Sequence, residues 1–124
     1  MKILDPGHRY LLFSLDDKNH FGPHVLQFVK RVGPNYPENE PPVWAGTTSQ
    51  ETMRALIDRG AYLNKQIPCW QTSLSNRLLK ICVWLYEWRA AKRHGRRIPG
   101  IAKAVYGEFC EKCGHVGCSG ICHV

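Results

Sequence analysis

Cysteine and histidine side chains are concentrated at the C-terminal end of the chain, where their spacing predicts a metal site. Cys110 and Cys113 form a C-x2-C pair, Cys118 follows after four residues, and His123 after four more. Thiolates and imidazole are the ligands that tetrahedral zinc prefers, and a C-x2-C pair lets one tight turn bring two sulfurs to one ion. We therefore predict a zinc ion bound by Cys110, Cys113, Cys118 and His123.

Two further side chains in this segment, His115 and Cys122, compete as ligands and leave the set open. The spacing resembles the zinc knuckle, C-x2-C-x4-H-x4-C, with the last two ligand types exchanged. Four protein ligands would leave no open position for catalysis, so the predicted site is structural. The alternative is a disordered or oxidised tail that holds no metal.

A second candidate site is the stretch Gly46-Thr47-Thr48, which precedes a predicted helix. Thr47 and Thr48 each stand three residues before a glutamine or glutamate, the spacing of a capping box. Free amides and the positive end of the helix dipole also make such a start a ready anion site, and the hydroxyls add donors for a phosphate. A plain helix cap is the other interpretation.

Basic residues provide the third candidate. The formal net charge is +7, from 17 basic and 10 acidic residues, and this balance favours anionic partners such as nucleotides or nucleic acid. Arg89 and Arg93 are spaced i, i+4 on one helix face, so both can reach one pair of phosphates. A larger basic cluster at and after this helix comprises Lys92, Arg93, Arg96, Arg97 and Lys103. Cations at a helix C-terminus also have a purely structural explanation.

Two aromatic residues, Tyr36 and Trp44, lie in the proline-rich connection 33–46, where they could stack on a base or close the edge of the core. Catalytic patterns are poor. His8, His20 and His24 lie near aspartates, but histidines in hairpin loops are usually solvated, and the chain has no P-loop, G-x-S-x-G or G-x-G-x-x-G. We therefore predict a protein that is not an enzyme.

Two helices must position these groups. The first begins near Thr47, and Pro68 marks the turn that ends it; the second begins near Thr72 or Ser75. Helical spacing predicts the packed face of the second helix as Leu74, Leu78, Ile81, Leu85 and Trp88. The apolar residues off this stripe, Val83, Trp84 and Tyr86, predict a second buried face. Cys82 is predicted as a small buried hydrophobe. A short connection favours an antiparallel hairpin of helices.

Residues 2–31 predict short strands, with Asp5-Pro6-Gly7 as a turn and a polar loop before His24. The predicted fold is α+β: a small antiparallel N-terminal sheet on an antiparallel helical hairpin, with a short metal-bound tail. Residues 1–97 form the predicted domain, and residues 98–124 a linker and the Cys/His-rich tail. With no apolar run of membrane-spanning length and no signal-peptide core, we expect a cytoplasmic protein.

The pattern G-T-x-x-Q-x-x-x-R-x-L-I-D-R-x-x-Y-L-x-x-Q-I-P-C, followed by a helix ending W-L-x-x-x-R-A-A-x-R, resembles the helical-hairpin anti-defence proteins of bacteriophages. In particular it is similar to the anti-Thoeris sponges that sequester cyclic ADP-ribose signals and, more distantly, to anti-CBASS cyclic-dinucleotide sponges. The resemblance covers roughly residues 24–93, and the Cys/His tail is not part of that family's pattern.

The resemblance implies a non-enzymatic, oligomeric binder of a cyclic nucleotide immune signal, acting in the cytoplasm of an infected bacterial host. It implies that basic side chains and helix starts hold the phosphates and that an aromatic ring stacks on the base. The ligand-binding residues expected are Tyr36, Trp44, Gly46, Thr47, Thr48, Arg89 and Arg93. The alternative is a small zinc-containing nucleic-acid-binding protein. A third hypothesis is a nucleotide-cleaving enzyme that uses the N-terminal histidines.

Overall fold

The structure, a computed structural model, describes residues 1–15, 24–30 and 45–107. The chain forms two compact units, Met1–Thr48 and Ser49–Val124. The first carries a three-stranded antiparallel sheet and the second carries helices, which confirms the predicted α+β class. The domain boundary predicted between residues 97 and 98 stays a prediction. No helix in the described ranges is both long enough and apolar enough to cross a membrane.

The sheet of the first unit has the order β1-β2-β3, with β1 at Lys2–Asp5, β2 at Arg9–Leu11 and β3 at Val25–Gln27. The predicted turn at Asp5-Pro6-Gly7 joins β1 to β2, and the His8 amide closes it on the Asp5 carbonyl at 3.0 Å. Tyr10 is the centre of the sheet, since it pairs with Ile3 on one side and with Leu26 on the other.

Beyond the regular ladder, the Lys30 ammonium lies 2.9 Å from the Asp5 carboxylate and so ties the segment after β3 to the end of β1. The ring of Tyr10 meets that of Phe28 edge to face, with centroids 6.1 Å apart. Edge-to-face pairs add a modest stabilisation beyond their buried area. Both contacts hold the strand that continues from β3 against the sheet.

The second unit is a helical hairpin with a third, short helix: α1 at Ser49–Gln66, α2 at Trp70–Arg93 and α3 at Ile101–Tyr106. Pro68 lies in the connection of three residues between α1 and α2, as predicted. Cross-helix hydrogen bonds join Asn64 to Ser73 near the turn and Arg54 to Glu87 far from it, so the two helices are antiparallel. The predicted antiparallel hairpin is therefore confirmed, and α2 begins slightly earlier than expected.

Each helix contributes one residue to a small apolar core made of Ile57, Val83 and Val105, with Met53 and Leu79 packed against it. Beside this core lies a buried ion pair. The Arg54 guanidinium donates from Nη2 to Glu87 Oε1 at 2.9 Å and to the Ala104 carbonyl at 2.7 Å. Glu87 is only 1% exposed, so this pair joins all three helices inside the unit.

The predicted packed face of α2 is wrong. The leucines and the isoleucine at positions 74, 78, 81 and 85 are exposed, whereas Val83, Glu87, Ala90 and Ala91 are buried. Cys82 is exposed as well, contrary to its prediction as a buried hydrophobe. The physical reason is that α1 approaches α2 through small, polar and ion-paired side chains, which a hydrophobic period does not mark. Of the predicted second buried face, Val83 is buried and Trp84 is half-buried, but Tyr86 is exposed, so that prediction is wrong for Tyr86.

Candidate anion-binding site

The C-terminal end of α2 is closed by a motif that fixes the direction of the chain after Arg93. Gly95 adopts a left-handed backbone conformation, with φ at 62°, which residues that carry a side chain rarely adopt. The Arg96 amide donates to the Ala91 carbonyl at 2.8 Å, and the Gly95 amide donates to the Lys92 carbonyl at 3.4 Å. These two bonds are those of a Schellman motif, and they satisfy carbonyls that would otherwise be unpaired.

The chain then returns along α2 towards α3, and a tryptophan on α2 holds it there. The Trp84 indole nitrogen donates to the carbonyl of the buried Pro99 at 2.9 Å. On the same side, the Lys80 ammonium lies 5.5 Å from the ring centroid of Tyr106 at the end of α3. The bend between α2 and α3 is therefore fixed by contacts at both ends.

Six basic residues lie in the sequence at the end of α2, in the bend and on α3, and they are called the basic corner below: Arg89, Lys92, Arg93, Arg96, Arg97 and Lys103. No acidic residue occurs from Trp88 to Gly107, and the acid just before, Glu87, is buried and paired with Arg54. Arg89 and Arg93, one helical turn apart, are both exposed. The negative end of the α2 dipole opposes an anion here, but it amounts to about half a charge against several full positive charges.

The rings of two tryptophans contact each other at a tilt beside the basic corner. The rings of Trp84 and Trp88 have centroids 4.9 Å apart and planes inclined by 53°. The Trp88 indole nitrogen is buried and has no hydrogen-bond acceptor among the residues that the structure describes. Helical spacing predicts Trp88 in the packed face of α2, and the aromatic residues expected to stack on a base are those of the loop. Trp88 is next to Arg89 in the sequence, and this adjacency could have indicated that the tryptophan pair lies beside the basic residues.

In the first unit, the predicted site residues Gly46 and Thr47 run alongside the strand that continues from β3. The Thr47 amide donates to the Gln27 carbonyl at 2.8 Å, and the Val29 amide donates to the Thr47 carbonyl at 3.0 Å. A Cβ atom on Gly46 would lie 2.5 Å from the Phe28 carbonyl carbon, so only glycine allows this approach. The close approach of the two backbones thus explains why position 46 is a glycine. The Thr47 amide already donates a hydrogen bond within this backbone pairing.

Thr48 immediately precedes α1, at the position that a capping residue occupies, and Glu51 stands three residues later. The Glu51 carboxylate lies in the first turn, 3.5 Å from Arg54 Nη1, and would repel a phosphate at this helix start. The spacing therefore suits a cap at least as well as an anion site.

The predicted ligand-binding residues fall into three groups. The structure brings Arg89 and Arg93 together on one face of α2, and it places Gly46, Thr47 and Thr48 in one continuous segment of the other unit. Tyr36 and Trp44 lie outside the described residues. The predicted zinc ligands Cys110, Cys113, Cys118 and His123 also lie outside them.

Other chemical groups in the described ranges offer little support for catalysis or metal binding. The Asp5 carboxylate lies 2.9 Å from Lys30 and 4.0 Å from His8, so its nearer partner is the lysine. Within residues 1–15, 24–30 and 45–107 no three metal-ligating side chains are grouped around a common position.

The fold alters the protonation of Cys69, which lies between α1 and α2. It caps the N-terminus of α2, where the backbone amide of Thr72, and next that of Gln71, lower the pKa of its thiol by stabilising the thiolate. The thiol also lies 2.6 Å from the side-chain oxygen of Gln71, a contact that favours the protonated form. Desolvation by burial raises the pKa of the thiol, but the amides outweigh it and the net direction is downward.

Comparison with known proteins adds no relative: no family model, no curated protein and no solved structure matches this chain.

Proposed function

We propose that this protein is a non-enzymatic binder that sequesters a cyclic nucleotide immune signal, as a phage anti-defence sponge in an infected bacterial host. The observation that supports the proposal is the basic corner, a segment without acidic residues from Trp88 to Gly107 in which Arg89 and Arg93 are exposed one turn apart. The resemblance of residues 24–93 to phage sponges supplies the ligand class. The proposal includes a homo-oligomer, as that resemblance implies.

The chemistry of binding follows from the geometry of the two arginines. A guanidinium offers a planar fork of donors that fits phosphate oxygens in pairs, and side chains at i and i+4 have Cβ atoms about 5–6 Å apart. Two such forks suit a ligand with two phosphate groups close together. Sequestration needs this affinity without turnover, so no general base or nucleophile is required at the basic corner.

The proposal is tested by a thermal-shift panel of cyclic nucleotides and cyclic ADP-ribose isomers on the full chain. A ligand at about 100 times its Kd stabilises the folded state by about 2.7 kcal/mol, which raises Tm by several degrees. Arg89→Glu and Arg93→Glu should abolish the shift. Arg59→Glu, a matched control at an exposed arginine on α1, should keep it.

Two outcomes would overturn the proposal. One is the absence of a shift with every ligand in the panel. The other is a ligand that returns cleaved when the protein is denatured and the released compound is analysed by mass spectrometry, because that result would identify an enzyme.

A second candidate function, a small zinc-containing nucleic-acid-binding protein, is favoured by the extent of the basic corner. Its exposed charges continue along the sequence past α2 to Arg97 and to Lys103 on α3, which is more cations than two phosphate groups require. Nucleic-acid binding would weaken steeply with salt, because each phosphate contact releases counterions. Affinity for a single-stranded oligonucleotide that falls about tenfold or more between 50 and 200 mM salt, with no response to cyclic nucleotides, would favour this alternative.

A further inference from the structure

Helix α2 presents a continuous apolar stripe to solvent. The stripe consists of Leu74, Leu78, Ile81 and Leu85, whose exposed fractions are 46%, 54%, 42% and 50%. It is called the α2 stripe below. The buried residues of α2, including Val83 and Glu87, lie at other positions of the helix and make its contacts with α1 and α3. The α2 stripe therefore contributes little to the core of its own unit.

The spacing along the α2 stripe is four, three and four residues, which is the spacing of the seam in a coiled coil. Trp88 continues the pattern three residues later, and Trp70, 70% exposed, lies near its start. No charged residue interrupts the seam, since Arg77 and Arg89 stand beside it rather than in it. A seam of this kind packs knobs into holes against another helix that carries the same pattern.

The area of the α2 stripe can be compared with what a stable interface requires. Its four half-exposed aliphatic side chains, together with Trp70, offer roughly 200–400 Å² of apolar area per copy. With the polar rim that surrounds such a patch, each copy would bury on the order of 400–700 Å². Specific interfaces begin near about 500 Å² per partner, so the surface suits a modest, reversible association.

We propose that two copies of this chain form a dimer in which the α2 stripe of one copy packs against the α2 stripe of the other. The stripe is self-complementary, because one heptad seam can pack against another of the same spacing. Both copies have this seam exposed. Arg77 and Arg89 can extend outward from the flanks with their charged ends in water. Added salt should strengthen the dimer by screening this repulsion between like charges. This proposal names the contact surface of the homo-oligomer that the proposed function includes, and it does not depend on nucleotide binding.

The test is sedimentation of the full chain under reducing conditions, which prevent disulfides between the tail cysteines. The wild-type protein should show a reversible equilibrium between monomer and dimer between about 1 μM and 1 mM. Leu78→Glu and, separately, Ile81→Glu should each raise the dimer dissociation constant at least tenfold. Leu56→Glu, a matched control at a leucine of α1 that is 48% exposed, should leave it unchanged.

Circular dichroism of each variant establishes that the helices are retained. If one stripe variant loses its helical signal, the other and Leu74→Gln, at a similarly exposed position, provide the same measurement. A wild-type chain that is monomeric at every concentration would overturn the proposal. It would indicate that another part of the same chain packs on the α2 stripe. A dimer that survives both stripe substitutions, or that Leu56→Glu disrupts equally, would overturn it as well.

The thermal-shift panel separates this proposal from the proposed function. A monomeric stripe variant that still responds to a nucleotide would leave the interface established and show that binding does not need it. A wild-type dimer that responds to no nucleotide would refute the sponge and leave the interface intact.

Discussion

At the scale of single residues, the ion pair between Arg54 and Glu87 is a buried interaction that joins the helices of the helical unit. Both side chains are largely removed from water, with side-chain exposures of 12% and 1%. A buried pair gains little over apolar side chains of the same shape, but losing one partner leaves a charge unpaired. The cost of breaking the pair is therefore larger than the stability that it adds.

Arg54→Met should lower the free energy of unfolding by about 3–5 kcal/mol, because it leaves the Glu87 carboxylate buried without its guanidinium. The double variant Arg54→Met with Glu87→Met should recover most of this loss. Urea denaturation followed by circular dichroism measures both. A single variant within about 1 kcal/mol of wild type would show that water reaches Glu87 and that the pair is not buried in solution.

Cys69 should react with iodoacetamide at neutral pH faster than an ordinary thiol, because the Thr72 and Gln71 amides lower the pKa of its thiol. The folded state favours the thiolate, so this group adds stability as pH rises through its folded pKa and loses that contribution as pH falls below it. Mass spectrometry of the Cys69 peptide across pH gives the rate profile.

Thr72→Pro is the matched variant for this prediction. It removes the amide that lowers the pKa of Cys69 most, at a helix position where proline is tolerated. In this variant, the inflection of the Cys69 reaction rate plotted against pH should move to higher pH. An unchanged profile would mean that the amides of the α2 N-terminus do not set the reactivity of Cys69.

At the scale of the elements, the end of α2 determines where the basic corner lies. Gly95→Ala should destabilise the helical unit by about 1 kcal/mol, because alanine at φ 62° strains the backbone. Gly95→Asn should cost less, since asparagine tolerates the left-handed region. Urea titrations of the two variants test this order. Equal and negligible effects would show that the Schellman motif is not formed in solution.

The Cys/His tail is an element that only its sequence describes here. The spacing predicts one zinc per chain after purification in zinc-containing buffer, measured by elemental analysis. Cys113→Ser should reduce the zinc content strongly, whereas Cys82→Ser, a matched control at an exposed cysteine of α2, should not. A wild-type protein without zinc would refute the predicted site.

The elements themselves were largely predictable from the sequence. Turn residues located Asp5-Pro6-Gly7, and Pro68 located the break between the helices, because these residues act through local backbone geometry. The packed face of α2 was not predictable, since Leu78 and Val83 are equally apolar and only tertiary contacts distinguish them. Arg89 and Arg93 were predictable as neighbours from the helical repeat. The tilted ring contact between Trp84 and Trp88 depended on side-chain rotamers that no spacing specifies.

At the scale of the whole molecule, the chain consists of two compact units with separate reasons to fold. The unit 49–124 has its own apolar core and its own buried ion pair. A fragment of residues 49–124 should therefore keep its helical circular dichroism and unfold cooperatively on heating. A fragment without a cooperative transition would show that residues 1–48 are required for the helical unit to fold.

The two adjacent, tilted indoles of α2 give this molecule an optical property of its own. Rings held 4.9 Å apart at 53° are close enough for their electronic transitions to couple, and such coupling is chiral because the two planes are skewed. Trp84 is fixed by its bond to Pro99, while Trp88 adjoins Arg89. An anion that displaces Trp88 would change the far-ultraviolet exciton signal, so occupancy of the basic corner can be followed without a label.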